Sequence, residues 1–201
     1  QYDLTAWRVE KRLLATGETV TAFGPAIDGV VTVPTTSLGG QGQAIISAIA
    51  VDATDLYVGG FDTLGPNNRA WRIEKRDKTS GSLIASFTSG SIPGVVISDP
   101  NPAGFDVLKA IALDASYIYA AGYDTASPDG KRAWRIEKRN KSDGALVTSF
   151  AAGGVYRTHP SSAVLRDDDI WALAVDAGYL YVVGFDSVPG TRQWRIEKIV
   201  K

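Results

Sequence analysis

The chain has 201 residues, 44% of them hydrophobic, with 21 Lys plus Arg set against 22 Asp plus Glu. That balance leaves no basic field to gather nucleic acid, and it supplies enough apolar residues for a core. Cysteine is absent, which excludes disulfides, thiolate metal sites and thiol nucleophiles.

No run reaches the roughly 18 apolar residues of a membrane-spanning helix, and no basic-then-apolar leader opens the chain. The sequence starts at Gln1 and contains no Met, so it reads as a processed, exported chain or as a part cut from a longer polypeptide.

Taken in order, the elements repeat. Tyr2-Asp3 echoes the end of a strand that recurs later as Gly122-Tyr123-Asp124. AWRVEKR begins at Ala6 and returns as AWRIEKR at Ala70 and Ala133 and as QWRIEK at Gln193, which places Trp7, Trp71, Trp134 and Trp194 at spacings of 64, 63 and 60. AIAVDA, AIALDA and ALAVDA carry Asp52, Asp114 and Asp176, each 62 residues from the last. They lead into LYVGGFD, IYAAGYD and LYVVGFD, which end at Asp62, Asp124 and Asp186. A turn glycine and an aromatic keep the same phase as Gly17/Phe23, Gly81/Phe87 and Gly144/Phe150. The chain is therefore one repeat domain, 1–201, with units 7–70, 71–133 and 134–193 and a partial unit 194–201.

Each unit is predicted to form four short strands. Strand a is the AIAVDA segment, b the LYVGGFD segment, c the WRIEKR segment, and d a segment typified by SLIASF at 82–87. Strands a and b are rich in β-branched and aromatic residues and meet at a tight Asp turn. GPNN at 65–68, SPDG at 127–130 and VPG at 188–190 join b to c. Thr16-Gly17, Ser80-Gly81 and Asp143-Gly144 join c to d and suit positive φ. Linkers of about 20 residues, at 24–47, 88–109 and 151–171, are too long for hairpins and suit crossings between sheets. The fold class is all-β, as tandem four-stranded antiparallel blades; a β-trefoil or β-prism with three-fold pseudo-symmetry is the alternative.

The pattern AIAVDAxxxLYVxGFD, followed by strand c, a turn glycine and a short strand ending in Phe, resembles bacterial exported β-propeller repeats. It is similar to the seven-bladed propeller repeat and delta-60 repeat families over essentially the whole chain. The resemblance implies that strand a lies innermost, where Ala48, Ala50, Ala110, Ala112, Ala172 and Ala174 suit a crowded axis. It departs from those families in the charged WRIEK strand and the longer linkers.

Alternation along strand c puts each Trp on one face and Arg72/Glu74 or Arg135/Glu137 on the other. A face covered by neighbours cannot leave charges dry and unpaired, so this ladder is expected to pair across blades or with Asp62, Asp124 and Asp186. The tryptophans suit inter-blade packing, with a sugar-stacking platform as the functional alternative. The repeated aspartates read as turn caps, not as calcium ligands, which need six or more oxygens; no metal or cofactor is assigned.

Residues common to all copies serve the blade, so a distinct site belongs in the linkers. The second holds Asp99, Asn101, Asp106 and Lys109. The third holds the candidate ligand-binding residues Arg157, His159, Asp167, Asp168 and Asp169. No nucleophile elbow or HExxH spacing is present, so no catalytic residue is assigned, and the glycines at 39–42 precede a strand and not a phosphate-binding helix.

The strand sequence c-d, a-b-c-d, a-b-c-d, a-b-c carries one surplus strand c, and three blades are fewer than the usual ring of four to eight. The expected function is a non-enzymatic extracellular or cell-surface repeat module, structural, self-assembling or adhesive. Its partners are copies of itself, as a ring or a filament, or further blades of a longer chain. The alternatives are a lectin with one glycan site per repeat and a propeller hydrolase or lyase using His159 and Asp168.

Overall fold

The computed structural model describes residues 6–33, 42–188 and 191–201. Tyr2-Asp3, Gly39 to Gln41 and Pro189-Gly190 lie outside them. The described chain is all-β apart from a short 3-10 turn at Pro160–Val164.

Among the described residues thirteen strands form four antiparallel sheets. Sheet I pairs β1 (Trp7–Glu10) with β2 (Val30–Val33). Sheet II runs β3 (Ala44–Val51), β4 (Asp55–Gly65), β5 (Asn68–Asp77), β6 (Val95–Ser98), each strand beside the next. Sheet III repeats that order with β7 (Val107–Leu113), β8 (Tyr117–Asp124), β9 (Ala133–Asn140) and β10 (Val155–Thr158). Sheet IV consists of β11 (Asp169–Val175), β12 (Tyr179–Asp186) and β13 (Gln193–Val200).

The a–b hairpins close as the repeated aspartates predict. Asp52 accepts the backbone N–H groups of Thr54 and Asp55, Asp114 those of Ser116 and Tyr117, and Asp176 those of Gly178 and Tyr179. Each strand a then carries a bulge, at Ile46/Ala48, Leu108/Ala110 and Ile170/Ala172. Opposite the bulge stands a glycine of strand b. A Cβ on Gly60, Gly122 or Gly184 would lie 1.9, 2.1 or 2.1 Å from the carbonyl oxygen of Ile45, Val107 or Asp169, so only glycine lets the bulged backbone come this close.

Strand d is not where the sequence reading put it. Residues 82–87 make a single bridge, Arg76 to Leu83, and then a turn that buries Phe87. The place beside strand c is taken by β2, β6 and β10, whose VVTV, VVIS and VYRT each hold two or more β-branched residues, against the single Ile84 of SLIASF. The long connection is therefore c to d, and the d-to-a linker shortens to 99–106 in sheet II and 159–168 in sheet III.

The sheets stack front to back. β7 packs on both β3 and β11, so the first strands are neighbours. Between sheets II and III lies a core of Trp71, Ile73, Phe87 and Val96 against Leu108, Ile118 and Ala120. Between III and IV the matching set is Trp134, Ile136 and Phe150 against Ile170, Leu180 and Val182, and between I and II it is Trp7, Val9 and Phe23 against Leu56 and Val58. One interface is thus built three times.

Candidate functional site

Strand c supplies the polar half of each interface. In sheet II Arg72, 3% exposed, pairs with Asp62 at 3.1 Å and with Glu74 at 2.6 Å, and Arg76 reaches the second Glu74 oxygen at 2.6 Å. Arg76 also donates to the Gly81 carbonyl, fixing the c-to-d turn. Sheet III repeats the set with Arg135, Asp124, Glu137 and Arg139, and sheet IV with Arg195, Asp186 and Glu197. Burial opposes the charge on Glu137, yet the guanidinium groups of Arg139 and Arg135 hold its carboxyl below the ordinary value.

These ion pairs run within a sheet: the expected pairing with Asp62, Asp124 and Asp186 is present, and the expected salt bridges across blades are corrected for the Arg-Glu ladder. The reason is spacing: Arg, Glu and Arg two residues apart share one face of one strand and saturate each other. What crosses the interface is the guanidinium placed over an indole ring of the sheet before it. Arg72 lies over the Trp7 ring at 5.4 Å and Arg195 over Trp134 at 5.6 Å. Neutral donors complete the crossing, Ser98 to Glu137 and Tyr156 to Glu197.

The indole N–H groups also reach the next sheet. Trp71 donates to the Tyr123 carbonyl at 3.0 Å and Trp134 to that of Phe185 at 3.1 Å. At the rim, lysines of one sheet meet the a–b turn of the sheet before it. Lys141 pairs with Asp52, and Lys201 with Asp114 at 2.8 Å. Burial opposes ionisation of both carboxyls, but these lysines and the turn N–H groups hold each at about 2. The sequence reading did not single out these lysines. Their signal was phase, since Lys78, Lys141 and Lys201 each follow the strand-c Trp by seven residues.

The linker candidates do converge, at the junction of sheets III and IV. Arg157 clasps Asp124 with Nε at 2.9 Å from both oxygens and donates to the Ser127 hydroxyl at 2.6 Å. His159 Nε2 lies 2.9 Å from the Arg166 carbonyl, which makes it the protonated nitrogen and leaves Nδ1, 3.3 Å away, to accept from Ser127. Asp168 accepts from the backbone of Ser161 and Ser187, and Asp167 from the backbone of Arg132. Asp169 opens β11 with Arg132 at 3.5 Å; its burial outweighs Lys109 and Arg132 and raises its carboxyl to about 6. The buried Asp106, raised by burial to about 6, holds the equivalent junction of sheets II and III through Asn101 and Thr125. Every member is thus bonded into the loops it joins, and among the described residues no three potential metal ligands gather.

No protein-family model, curated protein or solved structure matches the chain.

The surface left over lies at the two outer faces. Trp194 is 91% exposed and Ile196 73%, whereas their counterparts Trp71, Ile73, Trp134 and Ile136 are buried. On the same face Tyr181 and Val183 are open to solvent, where Tyr119 and Ala121 are covered. At the other end Arg8, Glu10 and Arg12 form the same ladder with no sheet in front of it among the described residues, at 2.5 and 2.6 Å.

Proposed function

We propose that the chain is a β-propeller-type array whose role is structural and non-enzymatic, exercised through association with further blades of its own kind. The stacked antiparallel sheets, the adjacency of their first strands and the thrice-repeated interface support a propeller-like arc. The observation that carries the reading is the outer face of sheet IV: a Trp-Ile-Tyr-Val surface whose counterparts in sheet III are buried is exposed, and an apolar patch of this kind marks an interaction site. Sedimentation velocity over a concentration series tests it. The expected result is a species of two or more chains; a single 21.4 kDa species at every concentration overturns it.

A further inference from the structure

Just before its repeated aspartate, each strand b carries an aromatic ring, and each ring carries the guanidinium of an arginine from the start of strand c. Arg69 lies 4.7 Å from the centre of Phe61, Arg132 4.6 Å from that of Tyr123, and Arg192 4.5 Å from that of Phe185. This stack is common to the copies, but its surroundings are not. The strand-a residue paired with the aromatic is Ile45, Val107 or Asp169, and the residue inside the bulge is Ser47, Lys109 or Trp171.

The polar departures gather around Tyr123, at the junctions of sheet III with its two neighbours. Alone of the three aromatics it has a hydroxyl, which bonds no group among the described residues. Lys109 Nζ stands 5.8 Å from the centre of the Tyr123 ring and likewise makes no hydrogen bond or ion pair among the described residues. Toward sheet IV, Asp169 is 3% exposed; it approaches Arg132 at 3.5 Å with Oδ2, while its Oδ1 is buried without a hydrogen-bond partner. Toward sheet II, Phe61, Val107 and Tyr123 form one buried cluster, which brings Arg69 to the same group. Arg69 gives one N–H to Gln43 and also covers Phe105 at 5.0 Å, a linker ring that is 43% exposed. The side chains of Arg132 and Asp167 are 39% and 38% exposed, so the group opens to solvent.

Unused donors beside a buried, unpartnered carboxyl oxygen are costly to keep for packing alone. Phe61 and Phe185 show that the stack forms without the hydroxyl, and Ser47 that the bulge forms without the lysine. We infer that this group binds an oligosaccharide of uronic acid units, one carboxylate on Lys109 and the Tyr123 hydroxyl, and a neighbouring ring against Phe105 beside Arg69. Charge and shape select this class. Arg69, Lys109 and Arg132 outnumber Asp167 and Asp169, which favours an anion. A phosphate or sulfate dianion would be repelled by the two carboxyl groups, whereas a sugar with one charge per ring uses them as acceptors for its hydroxyls. The open face of Phe105 suits the C–H face of such a ring. Burial raises the Tyr123 phenol above its ordinary value in spite of Arg132, so it stays a donor. The site adds a ligand to the array and does not depend on its association.

Titration calorimetry on the full chain tests this with trigalacturonate and trimannuronate as probes, neutral galactotriose and inorganic sulfate as comparators. The variants are Lys109→Ser and Tyr123→Phe, each of which installs the side chain that another copy already folds with, and Lys78→Ala at the far end of the strands serves as the control. The expected result is saturable binding of at least one of the two acidic probes, weakened about tenfold or more by Lys109→Ser and by Tyr123→Phe and unmoved by Lys78→Ala, with circular dichroism unchanged. No saturation by either probe up to about 10 mM overturns the inference. Equal binding of galactotriose overturns recognition of the acid group, and equal binding of sulfate overturns recognition of a sugar. Binding that both Lys109→Ser and Tyr123→Phe leave intact overturns the location.

Discussion

The Arg135 guanidinium lies 5.9 Å from the centre of the Trp71 ring, one sheet forward of it. Trp71 in turn donates its N–H to Tyr123 of the same forward sheet. One side chain is thus held by its face and by its edge, and neither hold is available to a tryptophan with no sheet ahead of it.

Trp134 has both holds, from Arg195 and Phe185. Trp134→Ala should lower the unfolding free energy by about 3–5 kcal/mol, the usual range for emptying a large aromatic site. Trp134→Phe should recover most of the loss. Urea unfolding followed by circular dichroism checks this, and a loss for Trp134→Ala below about 1 kcal/mol would contradict the packing role.

Glu137 is fully buried between Arg135 and Arg139. Removing it in Glu137→Ala leaves two guanidinium groups buried without their shared anion, with an expected loss of about 3–5 kcal/mol. Glu10 has the same sequence neighbours but lies on the open ladder, so Glu10→Ala should leave the unfolding midpoint unchanged. Thermal unfolding of the two variants side by side gives the comparison.

The pH dependence has two limbs. Asp169 and Asp106, raised to about 6, are favoured by folding in their protonated form. That contribution is full below the unfolded pKa near 4 and is lost as pH rises through 6. Asp52 and Asp114, held at about 2, contribute above pH 4 and lose that contribution as pH falls toward 2. Asp169→Asn should flatten the decline between about pH 4 and pH 6, with Asp106 supplying the remainder. Unfolding midpoints from pH 4 to 8 read this directly, and a variant profile parallel to the parent's would refute it.

Gly122→Ala sets a Cβ against the Val107 carbonyl, which no rotamer change can clear. The expected loss is about 1–3 kcal/mol, as in other overpacked sites. Gly178→Ala, with nothing within 4 Å of the new carbon, should change stability by less than about 0.5 kcal/mol. Chemical denaturation of both variants decides the matter.

Strands a, b and c were legible because hydrophobic periodicity, turn aspartates and the tryptophans all recur in one phase. Strand d was misplaced because Phe87 is apolar and follows the turn glycine, features that also suit a buried turn. The better signal was Gly29-Val30-Val31, Gly94-Val95-Val96 and Gly154-Val155-Tyr156, a further landmark of glycine followed by strand-forming residues, lying inside the supposed linkers. The convergence of Arg157, His159 and Asp168 depends on how β10 turns into β11, which spacing does not encode. Nor does the sequence of Trp194 distinguish it from Trp134; only the presence or absence of a sheet ahead does.

An interface built three times over also governs how the molecule fails. Since the core clusters of the described residues each join adjacent sheets, a defect in one contact should weaken that junction and leave the others at full strength. Opening should therefore spread from the outer sheets inward, with the pair flanking Trp71 the last to let its amide hydrogens exchange.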